Sequence, residues 1–387
     1  MTRAWRTARL ALGVALALGW WTPAQALPTM IRLGYNNCAA CHISPQGGGP
    51  LNPYGRGIDE AQSLRSAEYR PSENPFVKAL SARGRILQDL RAVFTEQGSW
   101  TGHQSATNAF RPKLMYRNVT TLGKGFSVWG TVTGETDLVP RPSLRYEPAV
   151  SGSKVVLNTA LLYYEASKHV QLAVGKDQLP TGVNVPDLGA FIKSRNRYGY
   201  YDSPAQVKMF WGDKRYQIMP FAYAPGGNEL AGEHESGAGT LAEFDLLGQG
   251  KTVVGVSFLR GTAANGDRRM IGAYTRLGFG QWGILAEHDV TDRTHSSPGA
   301  VSGWFRQQAS YAQVFWAIRE WLVASAIGER LHVDQPFPEQ LTAGKLELAT
   351  RLTNQASIGI SARAQRNQLA RAWGKSITLQ VAVKTAQ

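Results

Sequence analysis

Ser376-Ile377-Thr378-Leu379-Gln380-Val381-Ala382-Val383-Lys384 is the stretch on which the fold turns. In an extended chain, side chains point alternately to opposite faces. Ile377, Leu379, Val381 and Val383 then share one face, and Ser376, Thr378, Gln380 and Lys384 the other. The same period recurs upstream. Leu346, Leu348 and Leu352 oppose Lys345, Glu347 and Arg351, while Ile358 and Ile360 oppose Ser357, Ser361, Arg363 and Gln365. Reading backwards in this way gives sixteen strands between residues 81 and 384, the first at 81–95, the fifth at 168–179 and the last at 373–384, with 14 or 18 within boundary error. The connections are expected to alternate strictly, short turns such as Gly278-Phe279-Gly280, Ser167 and Thr353 against long stretches at 138–153, 180–203, 225–238 and 294–304.

Alternation with one apolar face suits a soluble β-sandwich as well as a transmembrane barrel with a polar lumen. The loop rhythm favours the barrel, because spanning barrels carry an even strand number and put short turns at one end. An even count also places both termini at the short-turn end, the periplasmic one. The expected fold is therefore all-β, a transmembrane antiparallel barrel of about 16 strands. One feature departs from many such barrels, which end on an aromatic residue, since this chain ends Val383-Lys384-Thr385-Ala386-Gln387. The 11 Trp and 14 Tyr suit aromatic girdles at both membrane interfaces, and equally any large β core.

The chain begins with an export pattern. Arg3, Arg6 and Arg9 precede an apolar run from Leu10 to Trp21, and Ala24-Gln25-Ala26 ends it as an A-x-A cleavage site. That run is too short for a membrane helix, and no later stretch reaches 18 apolar residues. The expected division is a signal peptide at 1–26, a small segment at 27–80 and the barrel at 81–387. Formal net charge is +14, and +11 once the three leader arginines are gone. Such an excess fits an anionic partner, an anion-favouring pore or contact with lipopolysaccharide. Nucleic acid is not expected as a partner, because the chain is exported and its basic residues are scattered.

The small segment carries the chemistry. Cys38-Ala39-Ala40-Cys41-His42 is a C-x-x-C-H attachment site for one covalent c-type haem. The two thiols join the haem vinyl groups, and the adjacent histidine then lies within reach of the iron as its proximal ligand. A zinc site would need further ligands, and the chain has only these 2 cysteines. A plain disulfide is the stronger rival in an oxidising compartment, but it gives His42 no reason to follow Cys41. Around the motif the segment is rich in turns, with Gly47-Gly48-Gly49-Pro50, Pro53, Gly55, Gly57, Pro71 and Pro75. About 50 residues cannot enclose haem unaided, so this segment is expected to act as a plug or lid that borrows its walls from the barrel.

The leader, the C-x-x-C-H motif, the following Leu51-Asn52-Pro53-Tyr54-Gly55-Arg56 and the porin-like barrel together resemble the fused cytochrome–porin family. The resemblance is sharp over Tyr35 to Arg56 and architectural beyond. It implies an outer-membrane protein that passes electrons across that membrane. Its partners would be a periplasmic cytochrome or other carrier, an extracellular donor or acceptor such as iron, and outer-membrane lipid. The Ser44–Pro50 spacer is longer than in the iron-oxidising branch, which leaves the identity of the donor open.

Arg56 is a candidate partner for a haem propionate, because guanidinium suits bidentate carboxylate binding. An ordinary turn arginine is the alternative. For the distal iron position the candidates are Met115, on the lumen face with Lys113 and Arg117, and His103, in the first long loop; Met219, Met270, His169, His288 and His332 are weaker. Electron transfer of this kind needs no catalytic acid, base or nucleophile, and no constellation for a soluble haem enzyme is visible. The alternative function is a solute porin whose haem segment is a structural plug or redox gate, with loop 180–203 folded inward as an eyelet.

Overall fold

The computed structural model describes residues 28–35, 41–42, 51, 55, 58–59, 61–64, 86–101, 107–136, 153–183, 185, 187, 189–196, 203–213, 215–226, 234–264, 266–295, 303–334, 338–353 and 355–385. Sixteen antiparallel strands close into one barrel, each paired with its sequence neighbours. They are β1 (Ile86–Thr101), β2 (Thr107–Gly123), β3 (Phe126–Thr136), β4 (Ser153–Ser167), β5 (Val170–Lys176) and β6 (Ala205–Gly212). There follow β7 (Tyr216–Ala224), β8 (Ser236–Asp245), β9 (Thr252–Ala263), β10 (Gly266–Phe279) and β11 (Trp282–His295). The last five are β12 (Gly303–Arg319), β13 (Leu322–Val333), β14 (Glu339–Arg351), β15 (Ala356–Asn367) and β16 (Ala372–Lys384). Closure runs along β1 and β16, from Arg91 opposite Lys384 to Thr101 opposite Gly374.

The expected strand number and order hold. The first strand, Ile86–Thr101, runs six residues beyond the expected end at 95, and 81–85 lie outside the described residues. The fifth is shorter than 168–179, ending at Lys176, beyond Gly175 with its positive φ of 133°. Strict alternation of short and long connections does not hold. One end has only tight turns, but the other mixes the long links after β3 and β5 with short ones after β9 (264–265) and β15 (368–371).

The alternation sorts side chains by face. On β9, Val256 and Phe258 are exposed on the outer wall, while Ser257 and Leu259 are buried inside. On β2, Leu114 and Tyr116 are exposed outside, which puts Lys113, Met115 and Arg117 on the lumen face as expected. Trp282 and Trp316 stack at 5.4 Å on the outer wall at the short-turn end, and Trp304 and Trp373 are exposed near the opposite end. On β12, Trp304 and Trp316 are twelve residues apart. At about 3.4 Å per residue and about 40° tilt they stand ~30 Å apart along the axis, a hydrocarbon thickness. Among the described residues no helix is long and apolar enough to cross a membrane.

One expectation about the lumen needs correction. The interior is not polar throughout, because Leu285, Phe315, Leu331, Met219 and Leu259 point inward and are buried. Apolar side chains inside a barrel need something to pack on. Here the link after β5 supplies it.

Candidate functional site

Two segments enter the barrel. The first is the N-terminal one, which meets the short-turn end. A short 3-10 helix, Pro28–Leu33, buries Ile31 in the interior core and packs on β10 and β11. Gln62 then reaches back to Met30 with an Nε2–Sδ distance of 3.8 Å. Helical residues at 55, 58, 59 and 61 lie between.

Asp59 fixes this segment to the wall. One carboxylate oxygen lies 3.1 Å from Nη1 of Arg351, at the end of β14, and the other 3.0 Å from Nζ of Lys384, at the end of β16. The three side chains are 7%, 4% and 8% exposed, so a single carboxylate serves two cations out of water. Arg351 also donates to Gln62 Oε1 at 3.4 Å, and its carbonyl accepts from the Leu64 N–H at 3.0 Å. The parity of β14 and β16 already places Arg351 and Lys384 in the lumen at the end where the chain enters. That was the available signal for an acidic partner, and sequence reasoning did not use it.

The C-x-x-C-H motif belongs to this seated segment. His42 is buried at 9% exposure and forms a β-bridge with Leu51. Gly55 approaches the Cys41 carbonyl so closely that a Cβ there would collide with it. Leu51 and Gly55 of the downstream motif therefore pack on the end of the attachment motif, and Gly55 leaves backbone room that no other residue leaves. A thiol next to a buried imidazole fits the donor set of a c-type haem, and Gly55 packs its backbone on that of Cys41. Gly55→Ala should consequently cut covalent haem loading sharply while the barrel still folds; haem stain normalised to heat-modifiable protein measures it, and unchanged loading would contradict the close packing.

Cys38, Arg56 and His103 lie outside the described residues. Met115 pairs in register with Arg91, which pairs with Lys384, so all three share the lumen face. At ~4.8 Å per strand step, Met115 stands about 10 Å round the wall from the Asp59 clamp. Met219 is buried inside on β7, while His169 and His288 are exposed on the outside, the latter with Nδ1 2.8 Å from Ser310 Oγ.

The second inward segment is the link after β5. The described part, 177–196, folds into the lumen as expected of an eyelet, with Leu179, Val183, Val185, Ala190, Phe191 and Ile192 buried. It includes a four-residue helix α1 (Phe191–Ser194). Arg195 is used, 2.9 Å from Glu339, while Arg197, Tyr198, Tyr200 and Tyr201 lie outside the described residues. Most of the hold comes from wall carboxylates on the loop backbone. Glu287 accepts the Val183 N–H at 2.7 Å, and Glu329 the Phe191 N–H at 2.6 Å. Asn196 donates to Asp289 at 2.6 Å and accepts from Gln307 at 2.8 Å. Burial drives the Lys193 ammonium below its ordinary range, against the opposing pull of Glu287 and Asp289.

The loop leans on β9 to β14, where Asp187 meets Lys345 at 3.0 Å, and leaves the side of β16, β1 and β2 open. Lumen-facing Thr95, Gln97, Arg111, Lys113, Gln365 and Gln380 are half-exposed, whereas their counterparts on β11 and β12 are buried. The described interior thus has a dry, loop-packed half and a polar half with a basic excess.

No protein-family model matches the chain, and no curated protein matches it. Solved structures do. OprB of Pseudomonas putida aligns with a TM-score of 0.58 at 10% identity, over 77% of this chain and 94% of that one. An anion-selective porin from Comamonas acidovorans gives 0.56 at 9%, over 77% and 99%. The outer membrane protein OmpT of Vibrio cholerae, in its trimer form, gives 0.55 at 11%, over 78% and 100%. At these identities the likeness is one of fold, that of a porin-like outer-membrane barrel.

Proposed function

We propose that this chain is a bacterial outer-membrane barrel that passes electrons through a c-type haem carried by its N-terminal segment in the periplasmic mouth. What supports the reading is the C-x-x-C-H motif itself, with His42 buried next to Cys41 in a segment that Asp59 seats against Arg351 and Lys384. Haem would supply a one-electron couple there. The protein's residues do the rest. Cys38 and Cys41 tether the ring, His42 ligates the iron, Gly55 keeps the backbone close, and the barrel wall excludes side reactions. One haem cannot bridge ~30 Å of hydrocarbon. A periplasmic cytochrome or similar carrier therefore docks at the short-turn mouth, and the extracellular donor or acceptor, iron among the candidates, reaches in from the long-loop end.

Proteoliposomes test this. With wild type, an impermeant external reductant should reduce an internal dye, and His42→Ala should lower the rate to that of empty vesicles while the barrel stays heat-modifiable. Equal rates for the two proteins would contradict the reading.

A solute porin with the N-terminal segment as plug or redox gate is the second reading. The half-exposed basic wall at Arg111 and Lys113 favours it, as do structural neighbours described as porins, one of them anion-selective. In that case small anions would pass when the plug leaves, and dye reduction would not depend on His42.

A further inference from the structure

The outer wall carries a cluster of cations where hydrocarbon would normally begin to give way to headgroups. Arg260 on β9 and Arg269 on β10 stand directly opposite each other in register, and both are exposed on the outside. Like charges at opposed positions repel and cost stability unless an anion lies between them. In the same row Asp292 faces Arg269 on one side and Arg306 on the other. That carboxylate is already gripped by Arg306, at 2.8 Å and 3.2 Å from Nε and Nη2. The described part of the row thus holds three guanidinium groups and two carboxylates, but the second, Asp334, lies on the far side of Arg306, away from the Arg260–Arg269 pair. Trp304 braces it, with the Arg269 guanidinium 4.7 Å from its ring centroid. A tryptophan of this kind marks the headgroup level.

Directly toward the membrane centre the same strands turn apolar. Phe258 follows Arg260 and Ile271 follows Arg269, at 50% and 62% exposure, with Val256 beyond at 52%. Cations above an uninterrupted apolar track have the shape of a phosphorylated lipid rather than of a free anion.

The geometry points to a seat for the phosphorylated headgroup of a membrane lipid, built by Arg260, Arg269 and Arg306 around Trp304 at the long-loop rim. The phosphate takes the place of the missing counter-charge between Arg260 and Arg269, and the acyl chains run down over Phe258 and Ile271. This rests on the membrane placement proposed above and not on haem.

Native mass spectrometry of the full chain in detergent tests it, with lipid A, which bears two phosphates, as the probe and phosphatidylcholine as control. Wild type should retain lipid A selectively. At about fivefold per arginine near a charged surface, the double variant Arg260→Gln/Arg269→Gln should retain it about 30-fold less well. Heat-modifiable migration of both proteins shows that the barrel is intact, so a failure of the lipid seat is distinct from a failure of the barrel reading. Equal retention by the two proteins would overturn the proposal, as would displacement of the lipid by inorganic phosphate alone. So would loss of oligomer peaks, rather than of lipid, in the double variant, since a second copy of the chain would then be the occupant.

Discussion

Asp59→Ala should release the N-terminal segment from the short-turn mouth and open the barrel to small solutes. The substitution leaves Arg351 and Lys384 buried without the carboxylate that each approaches at about 3 Å. Removing one member of a buried charge cluster typically costs ~3–5 kcal/mol, because the remaining charges stay desolvated and unpaired. The unseated population then rises by about 10² to 4 × 10³. Liposome swelling should accelerate, and a protease added at the short-turn side should cut between 27 and 80. The barrel itself should survive, since Asp59 belongs to no strand. A triple change, Asp59→Leu/Arg351→Met/Lys384→Met, removes all three charges and should restore much of the seating. Unchanged swelling and unchanged proteolysis in Asp59→Ala would show that the clamp does not hold the plug.

The inward loop offers the second large effect. Glu287→Ala removes the acceptor of the Val183 N–H and one of the two carboxylates opposing the buried Lys193. An orphaned buried amide alone costs about 1–3 kcal/mol, so the loop-detached population should rise by ~5- to 150-fold. In the Asp59→Ala background, where the mouth is open, single-channel recordings should show added flicker and a higher mean conductance. Glu243→Ala is the matched control, because Glu243 bonds Tyr274 and Arg276 on the wall and not the loop. Equal conductance with and without Glu287 would mean that the loop does not narrow the path.

Much of this architecture is legible in the chain. Period-two alternation needs only backbone geometry, so the faces of β16 could be assigned from Ser376 to Lys384 alone, and Ile377 is indeed outside and Lys384 inside. The lumen side of Met115 followed in the same way. Two things were hidden, for one physical reason. Alternation tells which residues face inward, but not what fills the interior. Leu285, Phe315 and Leu331 break the polar-inside rule because loop 177–196 packs on their side of the lumen. Glu287 and Glu329 read as ordinary lumen carboxylates, yet they hold backbone N–H groups of a loop about a hundred residues or more away in the chain. A hydrogen bond to backbone leaves no mark on the loop's own sequence. Asp59 is intermediate: its partners were placed by parity, but the seating of a turn-rich segment depends on long-range charge pairing that no local pattern reports.

An in-gel haem stain after full denaturation tests most directly whether the N-terminal segment carries the proposed covalent haem. Chain produced beside a competent cytochrome c assembly system should stain at its own mobility, with the mass increment of one haem. Cys38→Ser or Cys41→Ala should lose most of that stain at equal protein, because one thioether remains at best. Wild type that folds as a heat-modifiable barrel under those conditions, yet neither stains nor gains the haem mass, would contradict the account.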